Sequence, residues 1–424
     1  MKHIVTFVSA AAILVLNFQH EALAGAYLNS AHGNSTYGVK RTATSAKGYA
    51  RGNCAHCHGQ HAPIEGSDSA QASGTLSGKL LFYDNYITQT DGFCFKCHTD
   101  SGSVQATGGV VNRSYSYRAG RWTSDPLNNV KSAFSYTTST SYPSASSHNL
   151  ADIKMFVSNS SRSDWKYRSD SNPCSACHNP HSAQGDPANA GIGASPKTGA
   201  GGWMLSLPSQ HGSLPMNLWG DSIDEKMFNY TGSYQAPYRF GGISNGYEPD
   251  GSMTANGSNL TDFNTFCTDC HNSTNKIDST LLGGPLKTID WLNADRHGQP
   301  SGSTPSAQLI APYNSKTSYV LACTDCHEPH GSPNIFLTRQ EVNNGLVVVN
   351  GAAQNGGGSQ WASLCERCHG NTAAIGSSHH AIMGATPCVT CHDSASPPLV
   401  YVSCTNCHFH GSTTTLNGIT YRTF

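Results

Sequence analysis

Sixteen cysteines stand in this chain, and every one belongs to a single pattern, C-x-x-C-H, that occurs eight times. The copies begin at Cys54, Cys94, Cys174, Cys267, Cys323, Cys365, Cys388 and Cys404. A disulfide scaffold would not hold its cysteines to one spacing. A zinc site or dithiol redox pair built on C-x-x-C makes no demand on the residue that follows. Here that residue is histidine all eight times, although histidine fills only 21 of 424 positions. Two thiols three residues apart, followed at once by an imidazole, are what covalent attachment of a haem requires: a bond from each sulfur to the porphyrin edge and a nitrogen placed to ligate the iron. The sequence thus predicts eight haem c groups, with iron ligated by His58, His98, His178, His271, His327, His369, His392 and His408. Their attachment pairs are Cys54 and Cys57, Cys94 and Cys97, Cys174 and Cys177, Cys267 and Cys270, Cys323 and Cys326, Cys365 and Cys368, Cys388 and Cys391, and Cys404 and Cys407.

Eight such cofactors would supply much of the apolar interior themselves. The expected fold class is mostly coil with short helices and a few short strands, in a haem-cored multihaem cytochrome c architecture. Composition agrees: 43 residues are glycine and 12% are charged, against about 25% in ordinary soluble domains. One-turn helices are expected at the motifs. Hairpins are expected over Glu341 to Val349, around Asn343-Asn344-Gly345, and over Thr415 to Tyr421, around Asn417-Gly418, with one or two helical turns over Pro285 to Ala294. The net charge of −1 includes no basic stripe that would bind nucleic acid. Residues 1–24 read as a secretory signal, with Lys2, an apolar run from Ile4 to Phe18, and an A-x-A site at Ala22-Leu23-Ala24. No later run reaches the roughly 18 apolar residues of a membrane span. The expectation is a secreted protein without a transmembrane segment, at the extracellular or outer-membrane surface or in the periplasm. Three modules are expected: 25–173 with haems one and two, 174–322 with three and four, and 323–424 with the last four.

The flanks of the motifs repeat as well. Three carry a second histidine three residues after the first, in His58/His61, His178/His181 and His327/His330. Each is followed by a lone motif preceded by Phe93, Phe266 or Leu364. His148 lies 26 residues before Cys174 and His297 lies 26 before Cys323, so two copies of a larger repeat align at an offset of 149. Haem iron has two axial positions, so eight haems need eight further ligands beyond the motif histidines. The candidates are His61, His181, His330, His148, His297, His211, His32 and one of His379 and His380. Ser377-Ser378-His379 echoes Ser146-Ser147-His148 and favours His379. Three residues is too short a span for two histidines to grip one iron from opposite faces, so His61, His181 and His330 are expected on neighbouring haems. His56, inside its own C-x-x-C loop, and His410, two residues beyond a motif histidine, are set aside as non-ligating. With histidine in surplus and no repeated methionine position, Met155, Met204, Met216, Met227, Met253 and Met383 read as packing, and low, mostly negative potentials are expected.

With these motifs in hand, the chain resembles the extracellular multihaem c-type cytochromes of metal-respiring bacteria. Residues 174–181, CSACHNPH, and 323–330, CTDCHEPH, each followed by a lone motif, look like that group's doubled C-x-x-C-H. The resemblance implies non-enzymatic electron transfer to external acceptors such as metal oxides, electrodes or partner cells, with periplasmic or outer-membrane cytochromes as redox partners. For some members it also implies a homopolymer, a filament with a continuous haem stack. Small net charge weakens self-repulsion and favours a head-to-tail polymer, for which His32 would be the natural donor of a ligand between subunits. The rival is an octahaem reductase acting on nitrite, hydroxylamine or tetrathionate, which needs one open iron. The C-x-x-C-K motif of several such families is absent, whereas a tyrosine cross-link of the hydroxylamine-oxidising kind stays open among eighteen tyrosines. The histidine surplus weighs for closed irons. A haem store would not need four motifs packed between Cys323 and His408.

Overall fold

A computed structural model of the chain describes residues 27–28, 32–36, 38–59, 79–99, 102–106, 129–136, 145–159, 167, 169–178, 180–181, 267–268, 270–291, 295, 297, 323–342, 345–349, 363–369, 410, 413–416 and 419–422. These residues are mostly coil, punctuated by short helices and two-stranded ribbons. Single 3-10 turns form at Cys54–His56, Cys94–Lys96 and Pro173–Ala176, and one α-helical turn at Cys323–Cys326. Asparagine starts several elements, as its short amide suits the N-cap. The Asn53 side chain accepts from Ala55 N at 2.9 Å, Asn172 from Cys174 N at 2.9 Å, and Asn129 from Ser132 N at 2.9 Å at the head of the helix Val130–Phe134. The longest described helix, Leu150–Val157, is capped by Asn149, which accepts from the amides of Ala151 and Asp152 at 2.9 and 3.1 Å.

Four antiparallel ribbons join strands β1 (Ser146–Ser147) with β4 (Gly331–Ser332), β2 (Asp278–Ser279) with β3 (Gly284–Pro285), β5 (Glu341–Val342) with β6 (Gly345–Leu346), and β7 (Thr413–Leu416) with β8 (Ile419–Arg422). The last two are the expected hairpins. The helical turns expected over Pro285 to Ala294 are not formed at residues 285–291. Gly283, at φ +67, turns the chain back, and Gly284–Pro285 joins a ribbon in which proline's missing amide matters least. The β1–β4 ribbon has the widest consequence, since β1 immediately precedes His148 and β4 immediately follows His330. A Cβ on Gly331 would stand 2.1 Å from the carbonyl oxygen of Ala133, so only glycine lets these segments meet.

Described apolar side chains gather in small clusters rather than one large core. Phe95, Phe134 and Leu150 form one, Val157, Tyr167 and Ala176 a second, and Val342, Val347 and Val349 a third. Cys177 packs on the second and Cys368 on the third, so the apolar clusters border the motifs. Among the described residues no helix is long and apolar enough to cross a membrane.

Candidate metal centres

All six described motifs share one local geometry. The histidine amide donates to the carbonyl of the first cysteine, at 2.8 Å for His58 and His369 and 2.9 Å for His98, His178, His271 and His327. That closes one helical turn, and residues three and four apart in a turn share a face. Two sulfurs and an imidazole are thereby presented together. None of the twelve described cysteines is in a disulfide.

Each described motif histidine then meets one histidine from outside the motifs. Ring centroids are 6.1 Å apart for His58 and His181, 6.0 Å for His98 and His32, and 5.9 Å for His178 and His330. They are 6.0 Å apart for His271 and His148, 5.9 Å for His327 and His410, and 6.4 Å for His369 and His297. Two imidazoles on opposite sides of one metal ion should stand about 6 Å apart, from two metal–nitrogen bonds of about 2 Å and two ring radii of about 1 Å. Among the described residues no three His, Cys, Asp or Glu side chains converge as they would on a bare ion. Paired imidazoles beside paired thiols therefore fit an iron whose remaining positions are filled by a porphyrin, and do not fit a protein-built zinc site.

The pairs neighbour one another in chain order. Burial, and after it the nearby Cys97 and Cys94, raise the Cys57 thiol; Cys174 lies close enough to raise that of Cys94; and burial, then Cys267, raise that of Cys177. Further along, His327 acts on His271 and His410 acts on His297. Removal from water lowers the pKa of His32, His148, His181 and His369. It takes His98, His271, His297 and His327 down to about 4 and His178 to about 3. A neutral imidazole is the form that ligates metal.

Outer partners orient the rings. Nδ1–H of His32 donates to the Pro180 carbonyl at 2.7 Å, that of His148 to Pro329 at 2.5 Å, that of His58 to Lys79 at 2.9 Å and that of His327 to Phe336 at 2.8 Å. Phe336 and Leu337 offer this last carbonyl from left-handed backbone at φ 54 and 57, which is costly for residues with a side chain. Elsewhere the partner is acidic: Glu328 lies 3.5 Å from His330 Nδ1, and the Asp295 carboxylate accepts from His410 Nδ1–H.

One expectation changes here. His410, set aside on sequence, stands to His327 as the other partners stand to theirs. Its signal was the shared H-G-S of His410-Gly411-Ser412 and His330-Gly331-Ser332, which the one-residue difference in spacing from the motif concealed. His32, one of the candidate ligands, lies against His98 of its own chain. His56 meets no second ring among the described residues. Its Nδ1 receives Arg41 N at 3.1 Å and the Thr44 hydroxyl, and its Nε2–H donates to Ala50 O at 2.8 Å. His61, His211, His379, His380, His392 and His408, with Cys388, Cys391, Cys404 and Cys407, lie outside the described residues.

Residues 312–345 match the doubled CXXCH motif family (Paired_CXXCH_1). The match indicates a multihaem c-type cytochrome, with covalently bound haem c and its iron, and suggests electron transfer. No curated protein and no solved structure matches the chain.

Proposed function

We propose that this chain is an exported octahaem electron conduit, closed by two histidines at every iron and joined head to tail into filaments that carry electrons to acceptors outside the cell. The observation that carries the reading is the one-to-one meeting of six motif histidines with six others at 5.9 to 6.4 Å. Bound haem supplies a one-electron ferric–ferrous couple. The chain's part is to tether it by two thioethers, hold it between two neutral imidazoles, wrap it away from water and set it beside the next. A site filled on both faces leaves no position for a substrate, which favours a conduit over the reductase.

The pairings follow two rules. His32, His148 and His297, upstream of a doubled motif, each face the lone-motif histidine of their own unit. His181, His330 and His410, just past a motif, each face the motif histidine of the preceding unit that itself has a second histidine just past it. By the first rule, His379 or His380 serves His392. By the second, the motif of His408 needs a following unit, and His61 needs a preceding one. A head-to-tail copy supplies both, and His61 of one copy then completes the His408 iron of its neighbour, leaving His211 spare.

Carbon monoxide binds ferrous haem only where the sixth position is vacant or labile. Assembled, reduced protein should show eight haems per chain by the alkaline pyridine haemochrome spectrum and no CO spectrum, and microscopy should show filaments. His61→Ala should block assembly and expose one CO-binding haem. Exposure by His211→Ala instead would place closure within one chain. One CO-binding haem in the assembled wild type would make the reductase the better reading.

A further inference from the structure

Asp295 belongs to no motif. It is 0% exposed, in a stretch between the fourth and fifth attachment sites. One carboxylate oxygen accepts from His410 Nδ1–H. The other accepts from the His297 amide at 2.7 Å and lies 3.8 Å from His297 Nδ1. Trp291, 5% exposed, stands edge-on to the His410 ring at 5.1 Å and helps close this corner. Among the described residues no lysine or arginine pairs with Asp295. Among the described residues, this buried acid therefore faces two histidines and no fixed cation.

Those two histidines meet the motif histidines of two successive sites, His327 and His369. Elsewhere in the row the described Nδ1 hydrogen bonds go to neutral backbone carbonyls, at Lys79, Pro180, Pro329 and Phe336. The other described acid beside a ring, Glu328, stands off at 3.5 Å from His330 Nδ1 and faces that one ring only. A carbonyl orients an imidazole and leaves its charge nearly unchanged. A carboxylate in the same place makes the ring more basic and adds a negative charge close to the metal. Oxidation of the iron adds one positive charge, so that environment favours the ferric state, most strongly where low dielectric leaves the charge unscreened.

We propose that Asp295 is a positioning and potential-setting residue shared by the fifth and sixth haem sites, making them the last to be reduced relative to the same sites without it. The proposal rests on the reading of His410 and His297 as iron ligands. The hydrogen bond to His410 makes the fifth site the more affected, and the 3.8 Å approach to His297 makes the sixth the less. The row is then not level: a buried charge cuts a step into it towards the C-terminal end. The position equivalent to Asp295 in the preceding repeat, at the offset of 149, is Ser146, which carries no charge, so the step belongs to one copy alone.

The test is an optical redox titration of the holoprotein, wild type against Asp295→Asn and Asp295→Glu. In Asp295→Asn, one midpoint should rise by about 59 mV for one electron, which is an about tenfold fall in the ferric-to-ferrous ratio at fixed potential and sits at the low end of outer-shell effects. A second should rise by less, six should stay, and Asp295→Glu should restore the wild-type curve in part. Superimposable titrations with haem content and low-spin spectrum intact would overturn the proposal. If Asp295→Asn fails to load haem, the ferric electron paramagnetic resonance spectrum of the wild type decides. One site with the narrowed g spread of an imidazolate-like ligand supports the proposal, and eight ordinary neutral bis-imidazole sites overturn it. His410→Ala separates the two readings: if it leaves the reduced protein unable to bind CO, the ligand assignment itself is wrong, whatever Asp295→Asn does.

Discussion

His148 and His297 hold the same place in two copies of one repeat, and each stands against the histidine of the next lone motif, at 6.0 and 6.4 Å. Their surroundings differ. Two residues before His148, the Ser146 hydroxyl donates to Asn334 O and accepts from Leu337 N, both at 2.6 Å, stitching β1 to the segment after β4. His148 itself rests on the Pro329 carbonyl. Two residues before His297 comes Asp295, whose carboxylate faces the rings themselves. The spacing of ring donors has been kept between the copies while the charge around them has not. Ring position and ring environment are thus separable in this chain, the first carried by the repeat and the second by single substitutions within it.

The comparison breaks most sharply at the histidines that cross between units. His330→Ala and His410→Ala should each leave one haem with an open face, seen as one equivalent of CO-binding haem in the reduced protein and a high-spin fraction in the oxidised one. Equal outcomes would show that His410, one residue closer to its motif, does the same work as His330.

A smaller effect is expected at Gly331. An added methyl must displace the Ala133 carbonyl 2.1 Å away, so Gly331→Ala should cost about 3 kcal/mol, the upper range for overpacking, in denaturant titrations. It should also loosen His330, its neighbour. Ser146→Ala removes two hydrogen bonds and should cost about 1–2 kcal/mol in the same measurement. It should leave haem content unchanged, which would confirm that this serine supports the ribbon and not an iron.

Acid gives the mildest contrast. The folded chain holds His98, His271 and His327 at about 4, below the ordinary value of 6.5, so the unfolded chain binds more protons as pH falls. Stability should be full above about pH 6.5 and decline as pH falls towards 4, a loss that following the Soret band and far-ultraviolet circular dichroism together would show. Stability that rose on acidification from pH 6.5 would contradict these directions.

How much of this was legible in the sequence divides along a physical line. C-x-x-C-H is a local instruction: the amide of the fifth residue reaches the carbonyl of the first, and one turn aligns two sulfurs and a ring without help from distant residues. The six described motif turns and the two hairpins were therefore readable. The helical turns expected over Pro285 to Ala294 are absent at residues 285–291 because Gly283 reverses the chain into a ribbon there, a backbone freedom that hydrophobic pattern does not register.

The pairing of rings is of another kind. Nothing local tells His181 to stand against His58, or His410 against His327. Those meetings depend on ribbons such as β1–β4, on the absent side chain of Gly331, and on carbonyls and a carboxylate arriving from other units to hold Nδ1–H. The sequence by itself determined where haems can be tethered and that enough histidines exist to close them. Only the tertiary structure decided which histidine meets which and which of them face a buried charge, because those outcomes depend on how distant segments meet.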